Sequence, residues 1–159
     1  MDFADYVAAR RTSLVRSAVL LGCPQADAED VVQAALLKCY RHWRRVERAD
    51  QPEAYVYKVL VNTFRDAMGR RWTGETPTEQ LPEIAHDDDL ATGLAVRRAL
   101  AAMSREHREV LVLRYYADLS ERATADALKL PLGTVKSRTA RALAALAADD
   151  NLTGSHDAH

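Results

Sequence analysis

The stretch LPLGTVKSR, residues 130–138, decides how this chain is read. Pro131 cannot continue a preceding helix and Gly133 can adopt backbone angles closed to other residues, so a sharp turn is expected here. Beyond it, Val135, Thr139, Ala142, Leu143 and Leu146 recur at helical spacing as a core-facing stripe. Lys136, Ser137, Arg138, Ala140 and Arg141 fall elsewhere around the same helix. Upstream, Ser120 is placed to cap a short helix running to about Leu128. Helix, short turn and basic helix give the outline of a helix-turn-helix, whose second helix suits the DNA major groove. Arg and Lys bind guanine edges or phosphates and Ser serves either, so the front of that helix carries suitable chemistry. A surface-exposed helical hairpin is the simplest competitor. Cap, turn and basic face together favour nucleic acid.

Composition narrows the class. With 48% hydrophobic and 28% charged residues, the 159-residue chain suits one or two small domains with ordinary cores and is not disordered throughout. No apolar run approaches the roughly 20 residues of a membrane span, and MDFADY is unlike a signal peptide. A cytoplasmic protein without membrane insertion is expected. Cys23 and Cys39 belong to no CxxC or Cys/His cluster and read as reduced structural thiols, so no metal or other cofactor is implied. No carboxylate pair, nucleophile triad or Gly-rich phosphate loop suggests catalysis, and the Asp87 to Asp89 run reads as solvated charge. The chain is expected not to be an enzyme.

A net charge of −1 conceals strong segregation: residues 1–72 carry +3, 73–90 carry −6, 91–148 carry +5 and 149–159 carry −3. Two basic blocks are therefore separated by an acidic segment. That segment contains Pro77 and Pro82, few large apolar groups and no helical period, so residues 73–89 read as a flexible linker. Residues 149–159 read as a disordered tail.

The N-terminal block reads as three helices. The first carries Phe3, Tyr6, Val7, Leu14, Ala18 and Leu21 on one stripe and stops at Gly22. A second follows Asp27 and buries Val32, Ala35, Leu36, Cys39 and Trp43. Asp27, Glu29 and Asp30 in its first turn suit the positive end of the helix dipole, and could also face a basic partner. After Arg41-His42-Trp43-Arg44-Arg45-Val46-Glu47-Arg48, Pro52 opens a third helix that continues to about Arg70. Val56, Val59, Leu60, Thr63 and Ala67 form its buried stripe. Tyr55, Lys58, Asn62 and Arg65 lie on another side, with Arg70 and Arg71 at the end. Basic groups meet phosphates, Asn bonds an adenine edge, and Tyr or Trp stacks on an unpaired base, so groove contact and strand opening are both chemically possible.

Three segments carry a family resemblance: DAEDVVQAALLKCYRHW at 27–43, PEAYVYKVLVNTFRDAMGRR at 52–71 and LSERATADALKLPLGTVKSR at 119–138. In this order they resemble the extracytoplasmic-function sigma factors, compact members of the sigma-70 family. FADYVAARRTSLVRSAVLLG at 3–22 is most similar to an actinobacterial subgroup. The resemblance implies an all-α chain of two small helical domains: a region 2 bundle at 1–72 and a region 4 helix-turn-helix at 90–148, joined by the flexible acidic linker. It implies core RNA polymerase and promoter DNA as partners. Asp27, Glu29, Asp30, Gln33 and Leu37 would then bind polymerase. Trp43 to Asp50 would lie near the melting loop, with Trp43, Arg44 and Arg45 among the minus-10 contacts. Tyr55, Lys58, Asn62, Arg65, Arg70 and Arg71 would face the minus-10 element. Thr134, Lys136, Ser137, Arg138 and Arg141 would read the minus-35 element, with Arg114 suited to a backbone contact. The resemblance alone also implies an anti-sigma factor that blocks both surfaces.

One departure stands out. Thr124 occupies a position where the family carries Ile or Leu, and it is expected to need a hydroxyl partner or partial exposure. Two other functional classes compete with the sigma reading. A stand-alone helix-turn-helix repressor or activator would bind duplex DNA tightly by itself, and a helical sequestering module would bind no DNA through Lys136, Arg138 and Arg141.

Overall fold

The computed structural model describes residues 1–71 and 90–148, apart from the side chains of residues 71 and 90–92. The acidic segment at 73–89, with its Asp87 to Asp89 run, and the tail at 149–159 lie outside the described residues. The chain forms α1 (Phe3–Leu20), α2 (Gln25–Arg41), α3 (Trp43–Arg48), α4 (Pro52–Arg71), α5 (Leu90–Ala102) and α6 (Arg105–Leu111). A single π-helical turn (Val112–Tyr116) continues α6, followed by α7 (Glu121–Leu128) and α8 (Leu132–Ala147). No strand occurs among the described residues.

Local chemistry explains the N-terminal boundaries. Asp2 Oδ1 accepts the Asp5 N–H at 2.8 Å and starts α1. Gly22, at φ +111°, ends it as expected. The second helix starts at Gln25, with Pro24 in the capping position and no side-chain cap. Asp27 is therefore inside the first turn rather than in front of it, where its charge meets the helix dipole. The block holds four helices instead of three. At His42 the backbone departs from helical angles, so α2 stops and Trp43 opens the short α3. Trp43 packs against Phe3 and Tyr6, with ring centroids 5.4 and 5.2 Å away, and donates its indole N–H to the Met1 carbonyl.

Helix α4 differs most from the sequence expectation. Val56, Leu60 and Thr63 are buried as expected, with Val59 and Ala67 half-buried. Lys38 of α2 donates to the Thr63 hydroxyl at 3.1 Å, which fixes this stripe against α2. A second stripe, Tyr57, Val61, Phe64 and Met68, is also buried, about 100° further round the helix. Val61, Phe64 and Met68 join one apolar cluster with Val110, Leu113, Leu119, Ala123 and Ala127 of the C-terminal block. The two blocks share a core, and α4 packs as extensively against α7 as against α2. Each such apolar side chain contributes about 1.5–3 kcal/mol on full burial.

Arg108 and Tyr57 find polar partners at the junction. Arg108 on α6 donates to the carbonyls of Leu100 (2.9 Å) and Met103 (2.9 Å) at the end of α5, and to that of Leu21 (3.1 Å) at the end of α1. Burial favours its neutral form and lowers its pKa, with Glu109 opposing that shift. Gly22 makes this approach possible: a Cβ there would lie 2.5 Å from Arg108 Nη1. Tyr57 and Ser17 exchange a buried hydroxyl bond of 2.8 Å. Burial raises the Tyr57 pKa to about 12, against about 10 in an unfolded chain. The folded state thus holds its phenolic proton longer, so stability is complete below pH 10 and declines as pH rises toward 12. A denaturation series across this window should show the decline, and Tyr57→Phe should reduce its slope. A slope unchanged in Tyr57→Phe would contradict the assignment.

Candidate nucleic-acid interface

The C-terminal turn is built differently from its sequence expectation, yet to the same end. Ser120 Oγ accepts the Ala123 N–H at 3.0 Å and caps α7 as expected. The left-handed residue that closes α7 is Lys129, at φ +56°, not Gly133. Gly133 lies inside α8, whose capping position is held by the extended Pro131. Pro131 thus ends the connection, and the reversal at Lys129 falls four residues earlier than the glycine suggested. Val135, Thr139 and Ala142 are buried on α8 and hold it against α6, with Leu146 half-buried. Leu143 departs from the expected stripe and is 40% exposed.

Thr134, Ser137 and Arg141 lie within about 60° of one another on the outward side of α8, and Lys136 lies about 100° from Ser137 on the flank of the helix. Lys136, Ser137 and Arg141 are exposed and Thr134 is half-buried. Ser137 Oγ donates to the Thr134 carbonyl at 3.2 Å. Arg138 is turned sideways, and its Nη2 lies 3.6 Å from Glu106 Oε1 of α6. Arg114 sits in the π-helical turn, donates to the Leu119 carbonyl and has its guanidinium 5.4 Å from the Tyr115 ring centroid. Its side chain thereby fixes the approach to α7. Thr124 is fully buried and its hydroxyl has no partner, so neither condition expected of it is met.

On the N-terminal block, Tyr55, Lys58, Asn62 and Arg65 line up along α4 and are all half-buried. Arg65 is not free: its Nε and Nη2 donate to Glu109 of α6 at 3.0 and 2.6 Å. Arg70 is exposed. Arg44 and Arg45 are exposed on α3, whereas Trp43 is the packed support beneath them. The arginine-rich segment is therefore positioned by an aromatic cluster instead of presenting a free indole.

A separate surface lies between α1 and α2. Asp30, Gln33 and Leu37 line one open apolar groove with Phe3, Val7 and Tyr40. Leu37 and Tyr40 are more than half exposed, an unusual outlay of large apolar area in a small domain. Asp27 borders a neighbouring hollow and Glu29 is exposed outside the groove. Sequence reasoning missed Tyr40, whose signal was its place three residues after Leu37 on an otherwise polar face. It also missed Glu109, an acidic residue in a basic block. Among the described residues no group of three or more His, Cys, Asp or Glu gathers to hold a metal. Cys23 and Cys39 are buried and not bonded to each other, and burial raises the Cys39 thiol to about 11.

Comparison with known proteins places these surfaces in a family. Residues 6–73 match the sigma-70 region 2 family and residues 93–146 match sigma-70 region 4. The RNA polymerase sigma-E factor of Streptomyces coelicolor is 39% identical over 151 residues, covering 92% of this chain and 84% of that protein. The ECF RNA polymerase sigma factor SigL of Mycobacterium tuberculosis is 34% identical over 141 residues, covering 84% and 80%. In fold, the chain is similar to the sigma factor RpoE of Bartonella quintana, solved in complex with the anti-sigma factor NepR. The TM-score is 0.76 at 24% identity, over 96% of this chain and 97% of that one. The chain belongs to the extracytoplasmic-function sigma factors of the sigma-70 family.

Thr124 offers a test of the helix-turn-helix packing. A buried hydroxyl without a partner costs about 1–3 kcal/mol, and valine fills the same shape without it. Thr124→Val should raise the denaturation free energy by about 1 kcal/mol. A loss of stability would show that the hydroxyl is bonded in solution.

Proposed function

We propose that this chain directs core RNA polymerase to specific promoters and starts transcription there, adding no chemistry of its own. The carrying observation is the front of α8: Lys136, Ser137 and Arg141 project outward from a helix fixed by a capped α7 and a left-handed Lys129. In this reading, Thr134, Lys136, Ser137, Arg138 and Arg141 read the minus-35 duplex through the major groove. Arg114 acts indirectly by holding the turn before α7.

Region 2 divides its work between two surfaces. Asp30, Gln33 and Leu37, with Tyr40 added, form the polymerase-docking groove, while Asp27 and Glu29 extend its acidic border. Tyr55, Lys58, Asn62, Arg65, Arg70 and Arg71 contact the minus-10 element, and Arg44 and Arg45 hold phosphates over the support of Trp43. Base capture by this face offsets the few kcal/mol that unstacking costs. A +5 charge on region 4 gives modest affinity alone, so polymerase must supply the remainder. The chain works in the cytoplasm with its polymerase. An anti-sigma factor is a further partner, supported by the complex in which the similar RpoE was solved.

Run-off transcription with reconstituted holoenzyme, on promoters selected by the wild-type protein, tests the division of labour. Arg138→Ala should lower use of minus-35-dependent promoters by about tenfold, within the range for one base-reading arginine, and leave core binding intact. Asp30→Lys should weaken core binding first. The reverse pattern would overturn the assignment.

A further inference from the structure

We infer that Glu106 is a positioning residue for minus-35 reading: from α6, its carboxylate aims the Arg138 guanidinium and keeps it off phosphates in the wrong sequence, which rests on the base-reading role proposed for Arg138. The contact lies wholly within region 4. Arg138 follows Ser137 by about 100° around α8 and is one turn from both Val135 and Ala142, which are fully buried. Its stem therefore leaves the helix on the side toward the buried stripe, not from the centre of the outward strip. Only 25% of its side chain is exposed, and its Nη2 lies 3.6 Å from Glu106 Oε1. Of the three cations on α8, Arg138 alone meets a carboxylate among the described residues, whereas Lys136 and Arg141 are exposed.

Both ends of this contact are held by the fold. Ser104 Oγ accepts the His107 N–H at 3.3 Å and fixes the first turn of α6, where Glu106 stands. Helices α6 and α8 pack closely, with Val110 and Val135 fully buried, and the Thr139 hydroxyl donates to the Val135 carbonyl at 2.7 Å. At 3.6 Å the contact is an ion pair and not a hydrogen bond, and Glu106 is 57% exposed. The guanidinium is thus steered without being used up. Its remaining donors stay open to the O6 and N7 of a guanine. A carboxylate in this place also acts on the wrong sequence. Where no matching base is present, a lone arginine swings onto a phosphate and gains affinity that carries no sequence information. Beside Glu106, that relaxation abandons the ion pair and leaves a carboxylate facing the phosphates. Discrimination is a difference between two affinities, and Glu106 widens it by weakening the wrong one.

Holoenzyme reconstituted with the full-length chain, on a promoter library randomised through the minus-35 element, provides the test. Wild type, Glu106→Gln, Arg138→Ala and the double variant are compared. Arg138→Ala should relax base choice at one position, and Glu106→Gln should relax that same position by about five- to tenfold. In the Arg138→Ala background, Glu106→Gln should add nothing. On a promoter with a scrambled minus-35 element, Glu106→Gln should bind more tightly than wild type. Its slope of log affinity against log salt should be steeper by about 0.9, the increment for one further phosphate contact. Helix stabilisation alone also accounts for an acid in the first turn of α6, but it predicts a lower melting temperature with an unchanged base profile. That outcome overturns the positioning role, as does relaxation at a position that Arg138→Ala leaves alone, or an equal effect of Glu106→Gln with and without Arg138. Unchanged affinity and slope on the scrambled promoter overturn the exclusion of phosphates. If Arg138→Ala relaxes no position, the base-reading role of Arg138 falls and the positioning role falls with it. If Arg138→Ala relaxes one and Glu106→Gln none, base reading stands and the role of Glu106 alone is overturned.

Discussion

Helix α4 has two buried sides, and the rest of the architecture follows from that constraint. Thr63, Leu60 and Val56 face the bundle made with α1 and α2, while Val61, Phe64 and Met68 enter the cluster that reaches into α6, α7 and the π-helical turn. Only one polar strip remains, carrying Tyr55, Lys58, Asn62 and Arg65. A helix buried on two sides cannot present a broad face to DNA without losing one neighbour. The C-terminal neighbour is held through the Arg65–Glu109 ion pair, the reach of Arg108 to the Leu21 carbonyl and an apolar cluster that includes Val110, Leu113, Leu119, Ala123 and Ala127.

This constraint connects fold to function. The bundle stripe fixes α4 against α2, and the groove containing Leu37 and Tyr40 is walled by residues of α1 and α2 alone. Within region 4, Val110 of α6 and Val135 and Ala142 of α8 are all fully buried, and Val110 and Ala142 belong to the cluster shared with α4.

Much of this was legible in the sequence because it depends on local chemistry. The Ser120 cap, the Gly22 stop, the α8 core positions Val135 and Ala142, and the alignment of Tyr55 with Arg65 all follow from residue type and helical period. The rest depended on long-range partners. Nothing local distinguishes Phe64 and Met68 as facing a second domain, because an apolar residue has the same period whichever neighbour covers it. Leu143 satisfied the core spacing but lies at the edge of the α6 contact. The turn was misplaced because Gly133 is permissive without being required, whereas Lys129 adopts the left-handed angle at the end of α7. Trp43 was placed in the second helix because its spacing fits, and the break at His42 leaves no strong residue signal.

In the proposed function, α4 and α8 read two separated promoter elements from one polymerase-bound chain. Cryo-electron microscopy of the holoenzyme on its selected promoter tests this most directly. The expected result is α8 in the minus-35 major groove, α4 against the opened minus-10 strand, and no contact between Arg65 and Glu109. Retention of the α4–α7 packing on promoter DNA, or an α8 that stays outside the groove, would contradict it.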